Sequence, residues 1–242
     1  MVKTALITGS SKRVGKAIAE HLADKGWNVA IHLNTSEKPA EVLVNELTTK
    51  YTQQKFQAFK ANLSSMDEVI KLIPKVLQEI GEIHLLVNNA SVFDPGYIKT
   101  TEPELFDEQI NINLKAPFFL IRDFANLCKQ GNIINFVDTR VTSNKSNFAA
   151  YSLSKKGLWD LTQMAALELA PAIRVNAIAP GVTLAPEDKD ENYLHNLAQN
   201  IPMKKPGGLE PIIKSVDFIL ENNHLTGQLI FADGGENLGR NV

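Results

Sequence analysis

Residues 3–15 read KTALITGSSKRVG, a short apolar run that passes at once into a turn of small residues and then into a helical pattern. Gly9 and Gly15 allow close backbone approach in this turn, and the N-terminus of the following helix is suited to a pyrophosphate. A Gly-x5-Gly turn also occurs in tight strand-to-helix connections that bind nothing. These residues predict a βα unit and make its turn a candidate dinucleotide site.

Short apolar stretches and longer amphipathic stretches alternate along the rest of the chain, which is typical of a doubly wound α/β fold. The predicted strands are Lys3–Ile7, Asn28–Leu33, Lys55–Ala61, Leu85–Asn88, Asn132–Val137, Arg174–Ala179 and Gln228–Phe231. The predicted helices are Arg13–Lys25, Pro39–Lys50, Met66–Ile80, Pro103–Lys129, Ala149–Leu169 and Glu210–Glu221. Right-handed crossovers then give a seven-stranded parallel sheet flanked by helices, a single Rossmann-like domain over residues 1–242. Residues 180–209 form the one long irregular stretch, and we expect them to cover the substrate.

Composition favours a small-molecule partner. The 242 residues are 44% hydrophobic and carry a formal net charge of −2, so the chain can bury a large core but has no basic excess for nucleic acid or membrane lipid. Cys128 is the single cysteine, and no His/Cys cluster has zinc-like spacing, so we expect a buried thiol, no disulfide and no metal. The first apolar run is too short for a signal peptide or a membrane span, which predicts a cytoplasmic protein.

The end of the second strand favours NADP(H) over NAD(H). Residues 32–36 read HLNTS, without the Asp or Glu that would hold a ribose 2′-hydroxyl. Arg13 and the polar side chains of residues 34–36 can instead bind a 2′-phosphate. Asn62-Leu63 after the third strand would lie beside the adenine, and residues 88–90, NNA, would border the ribose. Asparagine is equally common in plain turns at such positions.

Tyr151 and Lys155 form the candidate proton-transfer pair. They stand four residues apart at the start of a predicted helix, so both project from one helix face. A nearby ammonium stabilises tyrosinate, and we expect it to lower the tyrosine pKa from about 10 toward working pH. Lys155 can also bond the nicotinamide ribose. The spacing alone is common on solvated helix faces, but the position after the fifth strand places the pair at a crevice.

Together these motifs resemble the short-chain dehydrogenase/reductase family across essentially the whole chain. The matching segments are Thr8-Gly9 through Gly15, Asn88-Asn89-Ala90, Asn113, Tyr151-x3-Lys155 and Pro180-Gly181. The resemblance implies that Tyr151 donates the proton, that Lys155 orients the ribose and that Asn113 completes a proton relay. The expected cofactor-binding residues are Gly9, Lys12, Arg13, Val14, Asn34, Thr35, Ser36, Asn62, Leu63, Asn89, Ala90, Ser91, Tyr151, Lys155, Pro180 and Gly181.

Several departures from the family pattern resemble its pteridine reductase branch, which includes the bacterial dihydromonapterin reductases. Arg13 replaces the middle glycine of the turn, Asn62 replaces an Asp, and Ser91 replaces the last glycine of Asn-Asn-Ala-Gly. Asp138 occupies the place of the catalytic Ser, thirteen residues before Tyr151. Phe93 and the C-terminal segment 233–240, DGGENLGR, belong to the same resemblance.

This branch implies a particular substrate site. Phe93 and the nicotinamide would sandwich a flat pterin, and Asp138 would bond the polar edge of the pterin and activate Tyr151. Arg13 would hold phosphate and substrate, and Arg240 would reach into a neighbouring subunit of a homotetramer. The expected substrate-binding residues are Arg13, Ser91, Phe93, Asp138, Tyr151, Thr183 and Arg240. The chemistry fits a pterin, whose N–H and amino donors match a carboxylate and whose ring matches an aromatic platform. Phe93 is equally compatible with a core aromatic, and Asp138 with a turn residue.

The sequence therefore predicts NADPH-dependent reduction of a dihydropterin such as dihydromonapterin or dihydrobiopterin, or of dihydrofolate. Two alternatives remain open: a carbonyl reductase acting on a 3-oxoacyl group or a sugar ketone, and a non-catalytic NADP(H)-sensing protein. Asp138 argues against carbonyl reduction, because an oxygen that develops negative charge needs a hydroxyl donor and is repelled by a carboxylate. The set of Asn113, Tyr151 and Lys155 argues against a mere sensor.

Overall fold

The computed structural model describes residues 2–186 and 189–239, and in this part of the chain seven strands form one sheet. The strands are β1 (Thr4–Ile7), β2 (Asn28–Leu33), β3 (Phe56–Lys60), β4 (Leu85–Asn88), β5 (Gly131–Phe136), β6 (Ile173–Pro180) and β7 (Leu229–Ala232). All neighbouring strands are parallel, in the order β3-β2-β1-β4-β5-β6-β7. This order confirms the predicted Rossmann-like fold. The mostly apolar strands β1 and β4 are buried along their whole length, as a parallel sheet covered on both faces requires.

Helices cover both faces of the sheet. They are α1 (Arg13–Asp24), α2 (Glu37–Lys50), α3 (Met66–Glu79), α4 (Pro103–Ile110), α5 (Ala116–Leu127), α6 (Ala149–Leu169), α7 (Glu191–Ala198) and α8 (Glu210–Glu221). One face packs against α1, α2 and α8, and the other against α3, α5 and α6. Cys128 is buried, as expected, in the core between the sheet and α3, α5 and α6. Burial raises the pKa of its thiol to about 11.

Two elements differ in kind from the predictions, and the bounds of the other predicted elements differ by at most two residues. The single helix predicted over Pro103–Lys129 is divided into α4 and α5 by a π-helical turn at Asn111–Lys115. Pro117 has no N–H to donate to the carbonyl four residues earlier, so the regular ladder cannot continue through this point. Residues 180–209 are not wholly irregular, because they contain α7, where Asp190 accepts a hydrogen bond from the Tyr193 N–H at 3.1 Å.

The strand order reverses between β1 and β4, and this reversal positions the site. In a doubly wound sheet the crevice outside the carboxyl ends of the strands opens at the point of reversal. The turn after β1, the loop after β4 and the residues that follow β5 and β6 all lie at this edge. Within the described residues, no helix combines the length and apolar character needed to cross a membrane.

Candidate active site

The turn after β1 is tied tightly to the end of β4. Gly9 has φ +61°, and a Cβ added there would stand 3.0 Å from Ala90 Cα, while one added at Gly15 would collide with the Gly9 carbonyl. The Thr8 hydroxyl accepts hydrogen bonds from the N–H groups of Asn89 at 2.9 Å and Ala90 at 3.0 Å. This leaves a small-residue turn against the N-terminus of α1, the shape that a pyrophosphate requires.

The Asn89 side chain also belongs to this turn. Its amide nitrogen donates to the carbonyl oxygens of Thr8 at 2.9 Å and Gly9 at 3.1 Å. Asn89 and Ala90, both predicted to bind the cofactor, thus shape the turn through direct hydrogen bonds.

His32 supports the same turn from β2, and sequence reasoning missed it. Its Nδ1 accepts the Gly9 N–H at 3.0 Å, and its Nε2 lies 3.0 Å from the Ala61 carbonyl. Burial lowers the pKa of His32 to about 4, against the opposing effect of the Ala61 hydrogen bond, so the ring is neutral and Nε2 donates. The available signal was a histidine within the otherwise apolar run VAIHL, residues 29–33.

The end of β2 presents hydrogen-bond donors where a 2′-phosphate is expected. Asn34 and Thr35 are exposed and Ser36 is half-buried, and the next residue, Glu37, bonds Lys60 at 2.5 Å. The donor set therefore fits NADP(H). After β3, the Asn62 side-chain oxygen accepts the Ser64 N–H at 2.9 Å, which is ordinary turn chemistry, and the predicted adenine neighbour Leu63 is buried.

Arg13 joins the turn to residues 180–209. Its φ of 54° is in the left-handed region, where the family has the glycine that Arg13 replaces. The guanidinium donates to the carbonyl oxygens of Ala185 at 2.8 Å and Leu184 at 3.4 Å. Lys12 and Val14 flank Arg13 at the start of α1, Lys12 exposed and Val14 half-buried.

The carboxylate of Asp138 and the phenol of Tyr151 are direct partners. The Tyr151 hydroxyl donates to Asp138 Oδ2 at 2.7 Å, and Asp138 Oδ1 accepts the Arg140 N–H at 2.8 Å. Lys155 Nζ donates to the Phe136 carbonyl at 2.8 Å and lies 5.8 Å from the centre of the Tyr151 ring. Both Tyr151 and Lys155 are buried at the start of α6.

These surroundings reverse one expectation about charge. Burial first, then the charge and hydrogen bond of Asp138, raise the pKa of Tyr151 well above its usual value, while Arg140 and Ser91 oppose the shift. Burial lowers the pKa of Lys155 to about 8, although Asp138 acts in the opposite direction. The predicted lowering of the tyrosine pKa by Lys155 was therefore wrong for this structure, since the nearest charge to the phenol is negative.

Asn113 is buried in the π-helical turn and fastens the loop after β4. Its amide oxygen accepts the Val92 N–H at 3.0 Å, and its amide nitrogen donates to the Val92 carbonyl at 3.0 Å. The same nitrogen lies 3.1 Å from Gln109 Oε1 and 3.2 Å from Ser154 Oγ, which is on α6. Asn113 thus connects the loop that carries Ser91 and Phe93 to the helix that carries Tyr151.

A cavity of about 640 Å³ opens beside the Asp138–Tyr151 pair. Its lining includes Arg13, Phe93, Asp138, Arg140, Pro180 and Thr183. Phe93 is 52% exposed; its ring stacks on Phe148 at 4.1 Å between centroids and meets the Tyr151 ring edge-on at 4.6 Å. Phe93 is therefore a surface platform and not a core aromatic.

The remaining predicted residues lie around this cavity or beyond the described chain. Ser91 is exposed close to Tyr151, and the Thr183 hydroxyl donates to the Gly181 carbonyl at 2.9 Å. Gly181 packs so closely that an added Cβ would stand 2.6 Å from Asp233 Cα, so the C-terminal Asp-Gly-Gly closes the edge of the site. Arg240 falls outside the described residues.

Two further residues were not anticipated. Arg140 and Phe148 lie between Asp138 and Tyr151 in sequence, and the Arg140 guanidinium carbon lies 4.6 Å from the centre of the Phe148 ring. A cation and an aromatic residue between two predicted catalytic residues were the only sequence signal. Across residues 2–186 and 189–239, no group of three His, Cys, Asp or Glu side chains is arranged to hold a metal ion.

Comparison with known proteins agrees with this geometry. Residues 3–193 match the model of the short chain dehydrogenase family. The chain belongs to this family. A 3-oxoacyl-[acyl-carrier-protein] reductase, FabG, of Staphylococcus epidermidis is 32% identical over 243 residues, covering 97% of this chain and 99% of that protein.

Solved structures similar to this chain contain NADP or NADPH. FolM alternative dihydrofolate reductase 1 from Brucella suis, in complex with NADP, has a TM-score of 0.93 and 35% identity over 100% of this chain and 98% of that one. A blue fluorescent protein from a metagenomic library, in complex with NADPH, has a TM-score of 0.89 and 26% identity over 96% and 97%. The NADP or NADPH in these structures agrees with the cofactor expected from the donors at the end of β2.

Proposed function

We propose that this enzyme reduces a pteridine, either a dihydropterin such as dihydromonapterin or dihydrobiopterin, or dihydrofolate. One observation carries the proposal. The Tyr151 hydroxyl donates to a carboxylate, Asp138, at 2.7 Å, where the family's carbonyl reductases carry a serine hydroxyl. A carboxylate beside the proton donor suits a substrate whose polar edge consists of N–H and amino donors.

The chain's own groups account for the proton in this reaction. NADPH, when bound, supplies a hydride to the carbon of a ring C=N bond. Tyr151 supplies the proton to the nitrogen, and its raised pKa keeps it in the phenol form needed for donation. Asp138 accepts hydrogen bonds from the substrate edge and orients the phenol. Lys155 keeps two N–H donors besides the one bonded to Phe136, and these can hold the ribose.

The aromatic surface supports a flat substrate. Phe93 exposes half its surface at the cavity, and the Phe148 ring behind it limits its movement. Offset or stacked contact with such a platform favours a planar heterocycle over a flexible acyl chain. In this proposal Thr183, which lines the cavity, and Ser91, which is exposed close to Tyr151, add polar contacts. Residues 180–209, whose backbone accepts a hydrogen bond from Arg13, cover the substrate.

Carbonyl reduction is the second candidate, because FabG relatives match nearly the whole chain. The argument against carbonyl reduction is electrostatic. The oxygen of a ketone becomes negative as hydride arrives, and Asp138 would repel that charge where a hydroxyl would stabilise it.

Substrate profiling separates the two candidates. NADPH oxidation is measured with dihydromonapterin, dihydrobiopterin, dihydrofolate and an acetoacetyl thioester, for the wild type and Asp138→Ser. We expect wild-type turnover of pteridines, and in Asp138→Ser a loss of pteridine turnover with a gain of thioester reduction. Wild-type turnover of the thioester alone would overturn the proposal, and unchanged pteridine turnover in Asp138→Ser would reduce Asp138 to a structural role.

A further inference from the structure

Arg140 has a fixed place beside the proton-transfer pair. It lies in the 3-10 turn Thr139–Thr142 directly after Asp138, and its backbone N–H is bonded to Asp138 Oδ1 at 2.8 Å. The backbone of Arg140 is thus held by the same carboxylate that binds Tyr151.

The Arg140 side chain is held as well. Its guanidinium carbon lies 4.6 Å from the centre of the Phe148 ring and 5.9 Å from that of Phe93, and Nη1 donates to Asn147 Oδ1 at 3.0 Å. A guanidinium over an aromatic ring is held by cation–π attraction, and the N–H donors that Asn147 does not use stay available for another partner. Such a group is preorganised to bind an anion at its edge, because little side-chain freedom is left to lose.

Among the charged residues around the cavity, Arg140 is the one best suited to bind an anion on the substrate. Of the cavity's cations, Arg13 donates to the carbonyls of Leu184 and Ala185 and is the expected ligand of the cofactor phosphate, while Lys145 is exposed. The lining also holds two carboxylates, Asp138, which is bonded to Tyr151, and Glu236. A substrate ring resting on Phe93 would therefore have its side chain next to a fixed, positively charged fork.

We propose that Arg140 is a specificity-determining residue that binds a carboxylate on the substrate's side chain. The preferred substrate is then a pteridine with an anionic side chain, as in dihydrofolate, over pterins whose side chains are neutral polyols. This inference rests on the proposed pteridine reductase function and adds the substrate class to it.

A second effect of Arg140 must be separated from substrate binding. Its charge opposes the rise in the pKa of Tyr151, so removing it weakens proton donation toward every substrate. The informative quantity is therefore the ratio of kcat/KM for dihydrofolate to kcat/KM for dihydrobiopterin. An effect on proton donation by Tyr151 changes both values equally and cancels in this ratio.

The experiment compares Arg140→Gln, Arg140→Lys and Lys145→Gln with the wild type. We expect the wild type to prefer dihydrofolate and Arg140→Gln to lower the ratio about 10- to 100-fold, the usual effect of losing a charge-assisted hydrogen bond. The loss should fall mainly on KM, and the calorimetric Kd for dihydrofolate with NADP⁺ should rise to match. Arg140→Lys keeps the charge but not the planar fork, and should recover only part of the ratio. Lys145→Gln removes one charge from the same wall and should change the ratio less than about 3-fold.

Each contrary result has a distinct meaning. If the wild type reduces both pteridines but Arg140→Gln lowers both kcat/KM values equally, Arg140 acts only on proton transfer and this inference falls alone. An equal change of the ratio in Lys145→Gln would show a diffuse effect of charge and would also overturn it. If the wild type reduces the thioester and neither pteridine, the proposed function fails and this inference fails with it. Circular dichroism melting curves confirm that the variants are folded.

Discussion

The phenol of Tyr151 tests the proton-transfer chemistry most directly. Tyr151→Phe removes one oxygen and its hydrogen bond to Asp138 while keeping the ring that meets Phe93. We expect kcat to fall by about 10²- to 10⁴-fold, the usual contribution of a positioned general acid. NADPH affinity, measured by fluorescence titration, should change little. A variant with wild-type kcat would show that another group donates the proton.

The buried, neutral His32 should make the stability of the protein depend on pH. Its pKa is about 4 in the folded chain and 6.5 in the unfolded chain, so between these values the unfolded state binds more protons. The free energy of unfolding is therefore highest above pH 6.5, and it falls by about 3 kcal/mol in all as the pH drops through 4. His32→Gln keeps a donor and an acceptor but does not titrate. Urea unfolding from pH 7 to pH 4 should show a flatter pH dependence for the variant than for the wild type; equal slopes would contradict the assignment.

Helix α1 begins at Arg13, a residue with a strained backbone and a side chain that is expected to influence the choice of cofactor. Arg13→Gly and Arg13→Ala both remove the guanidinium that bonds residues 184 and 185. Because the same guanidinium is expected to bind the 2′-phosphate, both variants should lower the preference for NADPH over NADH. Only alanine keeps a side chain in the left-handed conformation, so Arg13→Ala should be less stable than Arg13→Gly by about 1 kcal/mol. Both variants should be cleaved faster within residues 180–209 in limited proteolysis. Unchanged cleavage would show that the contact does not hold this segment.

At the scale of the whole molecule, an exposed apolar stripe on α6 supports the proposed homotetramer. Leu153, Met164 and Leu167 are 56%, 66% and 86% exposed and recur at helical spacing, an arrangement that is costly unless another subunit covers it. The double change Met164→Glu and Leu167→Glu should dissociate the assembly, as measured by sedimentation equilibrium. Val42→Glu, at a 53% exposed position on α2, is the matched control and should not. A monomeric wild type would refute the proposal.

Local patterns in the sequence determined the fold and the position of the site. β2 and β4 were predicted to the residue and the glycine turn was recognised, because apolar runs and small-residue turns depend on neighbours close along the chain. The pairing of Tyr151 with Lys155 followed from helical spacing. The break at Asn111–Lys115 and helix α7 were missed, since one proline and one capping aspartate are weak signals against a long helical or irregular pattern.

Only the tertiary structure decided the electrostatics and the partners. The pKa of Tyr151 rises because burial and Asp138, thirteen residues away and on another element, outweigh the lysine on its own helix face. His32 acquires its role from Gly9 and Ala61, and Arg13 from carbonyls more than 170 residues later. Phe93 stacks on Phe148, from which α4, α5 and β5 separate it in the chain. Burial and cross-element contacts depend on the packing of the whole chain, and they carry no local periodicity from which a sequence could reveal them.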